Sequence, residues 1–478
     1  MTQDGPVVVW FRDDLRVSDH PALRAAVDSG APVLPVYVVD DSGHGARPLG
    51  AASRWWLHHS LAALSASLEK RGARLVLREG DAEEEIRAVL RRSGASRLLM
   101  DRRYAAAERE QDQRVQRLAE QAGAEVESFT GSLLHEPGAV LNGDGERFGV
   151  FSPFFRALQR QGDPREPLPA PQRIAGWEGS VHSEALDDLR LLPTSPDWSG
   201  GMAETWEPGE KGAHRRLDGF VRDHLRHYAA HRDEPAADVS SRLSAHLKFG
   251  ELSPYQVWHR VAAADATEEV RTKFLTELAW REFDYDLLER GHALEQENVH
   301  RQFDRFPWAD VDQDVLRAWQ RGRTGIPLVD AGMRQLWHTG WMHNRVRMVV
   351  ASFLVKNLRY DWRLGEQWFW DTLVDADPAN NPAQWQWVAG SGADAAPFFR
   401  VFNPVTQGHK FDPAGEYIAE WVPELRDLDA KGRQEPWTVP DDLAAAAEGT
   451  GLPAYPSPVV DLKASRQAAL DAYAEMRG

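Results

Sequence analysis

Over the first 130 positions, short runs of apolar residues alternate with longer stretches that are apolar on one side only. Val7-Val8-Val9-Trp10-Phe11 is a continuous apolar run of strand length, and residues 33–39, 74–77, 98–100 and 125–129 repeat the theme. Between them, residues 21–27, 54–70, 83–92 and 108–121 carry apolar side chains at helical spacing. A run bounded by turns and followed by an amphipathic helix, repeated in series, predicts a parallel sheet with helices on both faces. The turn after the first strand, Arg12-Asp13-Asp14-Leu15-Arg16, has no Gly-x-Gly-x-x-Gly, and no P-loop occurs along the chain. This α/β domain, residues 1–130, therefore carries no standard phosphate loop.

Residues 131–207 read as a connector, with a hairpin turn at Asn142-Gly143-Asp144-Gly145 and four prolines between Pro164 and Pro171. From about Glu210 the two-residue period disappears. Helical spacing dominates over 217–231, 255–264, 268–290, 315–320, 329–337, 345–356 and 366–373. Ser253-Pro254 is a start signal, with serine as cap and proline at the first helical position. Residues 208–478 are predicted as a larger all-α domain whose packed part ends near 430, followed by a Pro/Gly-rich tail and one short amphipathic helix.

Composition narrows the function classes. A length of 478 residues favours two or three domains, and 42% hydrophobic with 27% charged residues is ordinary for a globular chain. No apolar run approaches the ~20 residues a membrane helix needs, and residues 1–25 carry Arg and Asp where a secretory leader is apolar. The absence of cysteine excludes disulfides, thiolate metal sites and cysteine nucleophiles. A monomeric cytoplasmic protein without a membrane partner is expected. The formal charge of −17 argues against wholesale coating of nucleic acid, though not against one local basic face.

Three local patterns carry candidate chemistry. Ser240, Ser241, Arg242, Leu243 and Ser244 set three hydroxyls and a guanidinium ahead of a helix, which suits a phosphate but is also what an ordinary cap looks like. Asp375-Ala376-Asp377 with Asn380-Asn381 is a carboxylate-rich turn whose spacing fits no common metal site, so no metal is expected. Residues 334–363 hold six basic side chains (Arg334, Arg345, Arg347, Lys356, Arg359, Arg363) against Asp361, a balance of +5 in an acidic chain. Trp337, Trp341, Tyr360 and Trp362 interleave with them, the mix of cations and flat rings that holds nucleic acid.

Motifs in order along some 400 residues resemble the photolyase/cryptochrome family. They are Trp10-Phe11-Arg12-Asp13-Asp14-Leu15-Arg16, the Ser240 to Ser244 segment, Glu277-Leu278-Ala279-Trp280-Arg281-Glu282-Phe283, Thr324-Gly325-Ile326-Pro327-Leu328-Val329-Asp330, Gly340-Trp341-Met342-His343-Asn344-Arg345, and the block from Asp375 through Gln384-Trp385-Gln386-Trp387 to Phe402-Asn403-Pro404. The resemblance implies an α/β antenna domain, a helical FAD-binding domain and light-driven electron transfer from reduced FAD to a cyclobutane pyrimidine dimer in UV-damaged DNA. It is most like bacterial members of the class I and III types. The same family contains blue-light photoreceptors of the cryptochrome type, which are the alternative. A plain helical DNA-binding module is a further rival, but it leaves the serine cluster and the Asp375 turn unexplained.

Carried over position by position, Tyr228 and the Ser240, Ser241, Arg242, Leu243, Ser244 segment would hold the flavin's phosphates and ribityl chain. Asp375, Ala376 and Asp377 would lie near the isoalloxazine, Arg347 would pair with Asp375, and Asn381 would face the reactive ring nitrogen. Trp385, Trp362 and Trp308 match the family's electron relay. Trp280 and Trp387 would wall a flipped pyrimidine pair, with Glu277 and Asn344 on the base edges and Met348 beside them. The Glu277 role calls for a protonated or proton-sharing carboxyl, which burial would favour. Arg232, Arg281 and Arg345 would contact phosphates, as would Lys410, which is chosen on charge alone. Members acting on (6-4) photoproducts carry His where this chain has Asn344 and Met348, and His343, one residue earlier, points elsewhere on a helix. Arg54, Trp55 and Glu108 resemble contacts to an antenna, either 5,10-methenyltetrahydrofolate or 8-hydroxy-5-deazaflavin.

Overall fold

Five parallel strands form one sheet: β1 (Val7–Phe11), β2 (Val33–Val39), β3 (Val76–Glu79), β4 (Arg97–Asp101) and β5 (Glu125–Phe129), in the spatial order β3-β2-β1-β4-β5. In this computed structural model, residues 5–291, 293–394, 399–450 and 454–478 are described. β1 is buried on both sides. Val7, Val9 and Phe11 face the Pro21–Asp28 and Ala51–Glu69 helices, while Val8 and Trp10 face the Ala82–Ser93 and Ala106–Gln121 helices. This burial explains why β1 reads as an unbroken apolar run and not as an alternating one. β3 sits two residues later than the hydropathy predicts. It is an edge strand, and its second half, Arg78-Glu79, is polar because that edge faces solvent. Strand order reverses between β1 and β4, so the carboxyl ends of these two strands open a crevice.

The rest of the chain is predominantly helical, as expected, and it departs from the expectation in several places. The connector contains a helix, Phe151–Gln159, whose Phe151 stacks on Trp280 at 3.7 Å between ring centroids. A second unforeseen helix, Asn380–Ala389, starts where the Asp375 to Asn381 stretch read as a turn. Asp377 supplies the start, its Oδ1 accepting from the backbone N of Ala379 and Asn380, and Pro382 falls in the first turn where no intrahelical donor is lost. The tail beyond 430 is packed. Tyr455 donates to buried Asp330, and the Leu462–Arg477 helix sets Ala469, Ala472 and Met476 against Phe303, Phe306 and Phe399. Long-range partners of this kind leave no trace in local hydropathy. None of the described helices is long and apolar enough to cross a membrane.

Two buried charged groups join the sheet domain to the helical one. Arg16 donates to the carbonyls of Asp19, Gly131 and Gly250. Glu251 accepts from Trp56 Nε1 at 3.0 Å and from Gly209 N at 2.6 Å, and its other oxygen meets His246 Nδ1. Both side chains are fully buried. Glu251→Ala would leave these donors without a partner, and breaking such a buried charged network costs about 3–5 kcal/mol. The expected outcome is a lower denaturant midpoint at unchanged m value, with part of the loss recovered in Glu251→Gln. An unchanged midpoint would show that the seam is held elsewhere.

Candidate functional site

The segment Ser240 to Ser244 runs between the Leu225–His231 and Ser244–Lys248 helices. Arg242 adopts φ +52°, lays its guanidinium over Trp341 at 5.0 Å and pairs with Asp238 at 3.0 Å, while its Nε is buried with no partner. Among the described residues, the hydroxyls of Ser240, Ser241 and Ser244 make no hydrogen bond to protein. Unengaged donors around an orphaned guanidinium nitrogen are a donor set suited to an anionic ligand such as a dinucleotide's phosphates. Tyr228 is buried against Phe220 and Phe274, and burial raises its hydroxyl so that it stays a donor.

The acidic turn divides its labour. Asp375 is held by Arg347 Nη2 at 2.8 and 3.1 Å, the pairing expected from the sequence, and Arg347 Nε is anchored on the Met342 carbonyl. Asp377 is taken up by the helix cap described above and by Tyr285, whose hydroxyl donates to Oδ2 at 2.8 Å. Asn381 is buried and its amide nitrogen donates to the carboxylate and the backbone carbonyl of Glu366. Ala376 lies in the buried core between these groups.

Three helices bring the remaining candidates together. Glu277 and Trp280, three apart on the Glu268–Glu289 helix, share a face. Asn344 and Met348, four apart, open the Asn344–Ser352 helix, and Asn344 is exposed. Trp387 comes from the Asn380–Ala389 helix. Trp280 and Trp387 line one narrow recess together with Asp284, a buried carboxyl raised well above its ordinary range by desolvation and bonded to Gln384. Asp284 is four residues after Trp280, so helical spacing from a candidate wall residue was the signal that could have found it. Phe151 backs the face of Trp280 turned away from the recess.

Glu277 is ion-paired with Arg232 and its side chain is 34% exposed, so it is not the buried group that the sequence suggested. Next to this pair, Arg345 binds Asp233 at 2.9 Å and lies over Phe411 at 4.4 Å, and exposed Lys410 sits over the same ring at 4.9 Å. Arg232, Arg345 and Lys410 thus form one cationic rim. Arg281 does not join it. One residue after Trp280 it turns about 100° round the helix, is buried, and donates to the Ser132 carbonyl. Arg400, which the sequence reading omitted, lies over Phe402, and Phe402 packs on Trp387.

The basic stretch 334–363 is not a face. Arg334 is forked onto Glu424, Arg347 onto Asp375, Arg363 onto Asp361, and Lys356 is buried with its Nζ on the Ala389 carbonyl. Helical packing scatters these charges, and of this set Arg345 reaches the rim. His343 caps the helix that Asn344 opens. Burial pushes its pKa down to about 4, so it is neutral at pH 7.

Trp385, Trp362 and Trp308 belong to or pack against one core cluster, with Trp385 and Trp362 buried and Trp308 partly exposed. Trp319, not foreseen, is fully buried 6.4 Å from Trp385. Gly365 makes room for the Trp385 indole, which a Cβ there would overlap.

Glu108 lines a separate recess at the carboxyl ends of β1 and β4, whose lining mixes Arg12, Arg102, Arg103, Lys248 and buried Arg281 with Asp13, Asp14 and Asp101. Burial raises Glu108 to about 6. Arg54 and Trp55 are not part of this recess. Trp55 packs in the core against Trp56 and His59, leaving no ring face for a chromophore, and Arg54 is tied to Asp41.

Comparison with known proteins accords with this geometry. A family model described as DNA photolyase matches residues 7–172, and one described as FAD binding domain of DNA photolyase matches residues 274–475. The chain is 48% identical to the deoxyribodipyrimidine photo-lyase of Agrobacterium fabrum over 475 residues, covering 99% of this chain and 98% of the relative. It is 38% identical to cryptochrome-1 of Arabidopsis thaliana over 99% of this chain and 70% of that protein. The crystal structure of a bacterial class III photolyase from Agrobacterium tumefaciens superposes with a TM-score of 0.95 at 48% identity, covering 100% of this chain and 98% of that one.

Gly365→Ala should push the Trp385 ring from its place, since a methyl forced into a packed core costs about 1–3 kcal/mol. The expected outcome is a lower unfolding midpoint together with an altered near-ultraviolet dichroism of the indoles. A variant identical to the parent in both would show that Trp385 has other room.

Proposed function

Because the chain belongs to the DNA photolyase family, we propose that it repairs cyclobutane pyrimidine dimers in UV-damaged DNA, driven by light, with FAD as its cofactor. The observation that carries this reading is the recess walled by Trp280 and Trp387, together with the cationic cluster of Arg232, Arg345 and Lys410 that is tied to the Trp280 helix through Glu277. Flat apolar walls suit a base pair swung out of the helix, and cations at the rim suit the backbone phosphates beside it. The unengaged Ser240, Ser241 and Ser244 hydroxyls, Arg242 and Tyr228 would hold the phosphates and ribityl chain, with Leu243 packed beneath them. Asp375 with Arg347, Ala376, Asp377 and Asn381 would surround the ring. Reduced flavin, when bound, supplies the electron that splits the dimer, and Trp385, Trp362 and Trp308 would serve to replenish it.

The protein's own part is positional. Asn344, exposed at the helix start, would donate to or accept from a base edge, and Met348 would give a polarisable contact one turn on. Glu277, ion-paired with Arg232, would accept from base N–H groups. The amide of Asn344 and the thioether of Met348 cannot hand over a proton, and His343 is buried and neutral near pH 7. That favours the cyclobutane dimer, whose opening needs an electron, over the (6-4) photoproduct, whose opening needs proton transfer. The enzyme is taken to act as a cytoplasmic monomer, built from residues 1–130, 131–207 and 208–478.

A second chromophore would occupy the recess at the ends of β1 and β4. Its cations suit the carboxylated tail of 5,10-methenyltetrahydrofolate, and Tyr104 and Tyr285 in its lining suit a flat ring. 8-Hydroxy-5-deazaflavin is the alternative, and Glu108 is the residue retained from the sequence reading.

Two measurements test this. Oligonucleotides carrying one defined lesion each should show light-dependent repair of the cyclobutane dimer and none of the (6-4) product. Repair of only the latter would overturn the assignment, and activity on neither would favour the photoreceptor reading. Mass spectrometry of chromophores released from protein made in its native host should give FAD and one folate or deazaflavin species, and FAD alone would defeat both antenna versions.

A further inference from the structure

The loop after β2, residues 40–50, leaves the sheet domain and lies along the Trp362–Thr372 helix of the helical domain. Trp370 Nε1 donates to the Pro48 carbonyl at 2.9 Å, and Asp371 accepts from Ala51 N just beyond the loop. A side chain at Gly50 would overlap the Trp370 backbone, so glycine permits this close approach. The loop delivers Arg47, whose guanidinium lies over the Trp370 ring at 4.2 Å. Its two terminal nitrogens then meet the two oxygens of Glu366 at 2.8 and 3.2 Å. This planar fork on a carboxylate is the strong geometry for such a pair. Glu366 is 1% exposed, so its carboxylate depends on protein partners alone.

Its other partner is Asn381. The amide nitrogen donates to Glu366 Oε1 at 2.8 Å and to the Glu366 backbone carbonyl at 3.1 Å. Both are acceptors, so both amide hydrogens are spent on Glu366 and the orientation of the amide is fixed. Its oxygen is turned to the opposite side.

We propose that Arg47, a residue of the sheet domain, is a positioning residue for the flavin: by holding Glu366 as a carboxylate it keeps the Asn381 amide with its oxygen turned toward the flavin N5. The proposal rests on the reading above that Asn381 faces that nitrogen. Oxidised flavin takes up two electrons and one proton on reduction, the proton landing on N5. Reduced flavin therefore offers an N–H there, and oxidised flavin a lone pair. A fixed amide oxygen favours the N–H form. A neutral Glu366 would instead donate its O–H to Asn381 Oδ1, the amide would turn, and its N–H would favour the oxidised form. Burial pushes the Glu366 carboxyl up and the charge of Glu295 adds to that, while Arg47 and the Asn381 amide oppose it.

The test is the midpoint potential of the oxidised/reduced flavin couple in the purified holoprotein at pH 7. Arg47→Met, which keeps the stem on Trp370, should shift the equilibrium toward oxidised flavin at least tenfold, a fall of about 30 mV for a two-electron couple. Arg47→Gln should do the same and serves if the Met variant does not fold. Arg47→Lys, which keeps a cation facing Glu366, should retain most of the parent potential. In a Glu366→Gln background, where no carboxylate remains to be held, Arg47→Met should add nothing. An unchanged potential in Arg47→Met, or a shift of the same size in the Glu366→Gln background, would overturn the proposal, the latter by showing that Arg47 acts as a distant charge. Asn381→Ala separates the two levels. If it leaves the potential unchanged, the reading of Asn381 as the flavin-facing residue fails. If it moves the potential while Arg47→Met does not, the Arg47 proposal alone fails.

Discussion

A guanidinium with no access to water must have every donor answered inside the protein, and the answer for Arg16 determines how the chain is assembled. Its nitrogens reach carbonyls at Asp19, Gly131 and Gly250, which belong to the first turn of the sheet domain, the start of the connector and the helical domain. Desolvating a charge of this kind costs several kcal/mol unless the hydrogen bonds are complete. The three segments therefore form the Arg16 site together or not at all. The Leu15 N to Phe249 carbonyl bond and the Glu251 network continue the same seam. The cofactor candidates, the recess walls and the Arg47 loop all lie on elements that this seam holds in register.

Much of this was legible in the sequence where one period governs one element. The buried run Val7 to Phe11 announced a parallel strand, and the family resemblance drew attention to Glu277, Trp280, Asn344 and Met348, which the structure sets in pairs three and four apart on two helices. The same geometry accounts for failures. Arg281 adjoins Trp280 in sequence but faces another way, and the basic stretch 334–363 is distributed by its helices into separate ion pairs. The helix Phe151–Gln159 and the packed tail depend on distant partners. So does Arg47, which stands 319 positions from Glu366 in a loop without any motif.

Electrostatics follow a consistent pattern. The chain has a net charge of −17, yet the candidate site is framed by arginines whose acids are local: Asp233 for Arg345, Glu277 for Arg232, Asp375 for Arg347. Pairing of this sort fixes the side chains before any ligand arrives, so little rotamer entropy remains to be lost on binding. Net charge thus describes solubility here, and the local pairs describe recognition.

The stacking of Phe151 on Trp280 has a consequence for modularity. One wall of the recess is propped by a helix that precedes the helical domain in sequence, and Phe249 and Trp341 of that domain are buried against the Ala51–Glu69 helix of the sheet domain. A fragment beginning at the helical domain would carry bare indole and phenyl faces in place of a pocket and a seam. The two halves are distinct in architecture, yet each leaves aromatic faces that only the other covers.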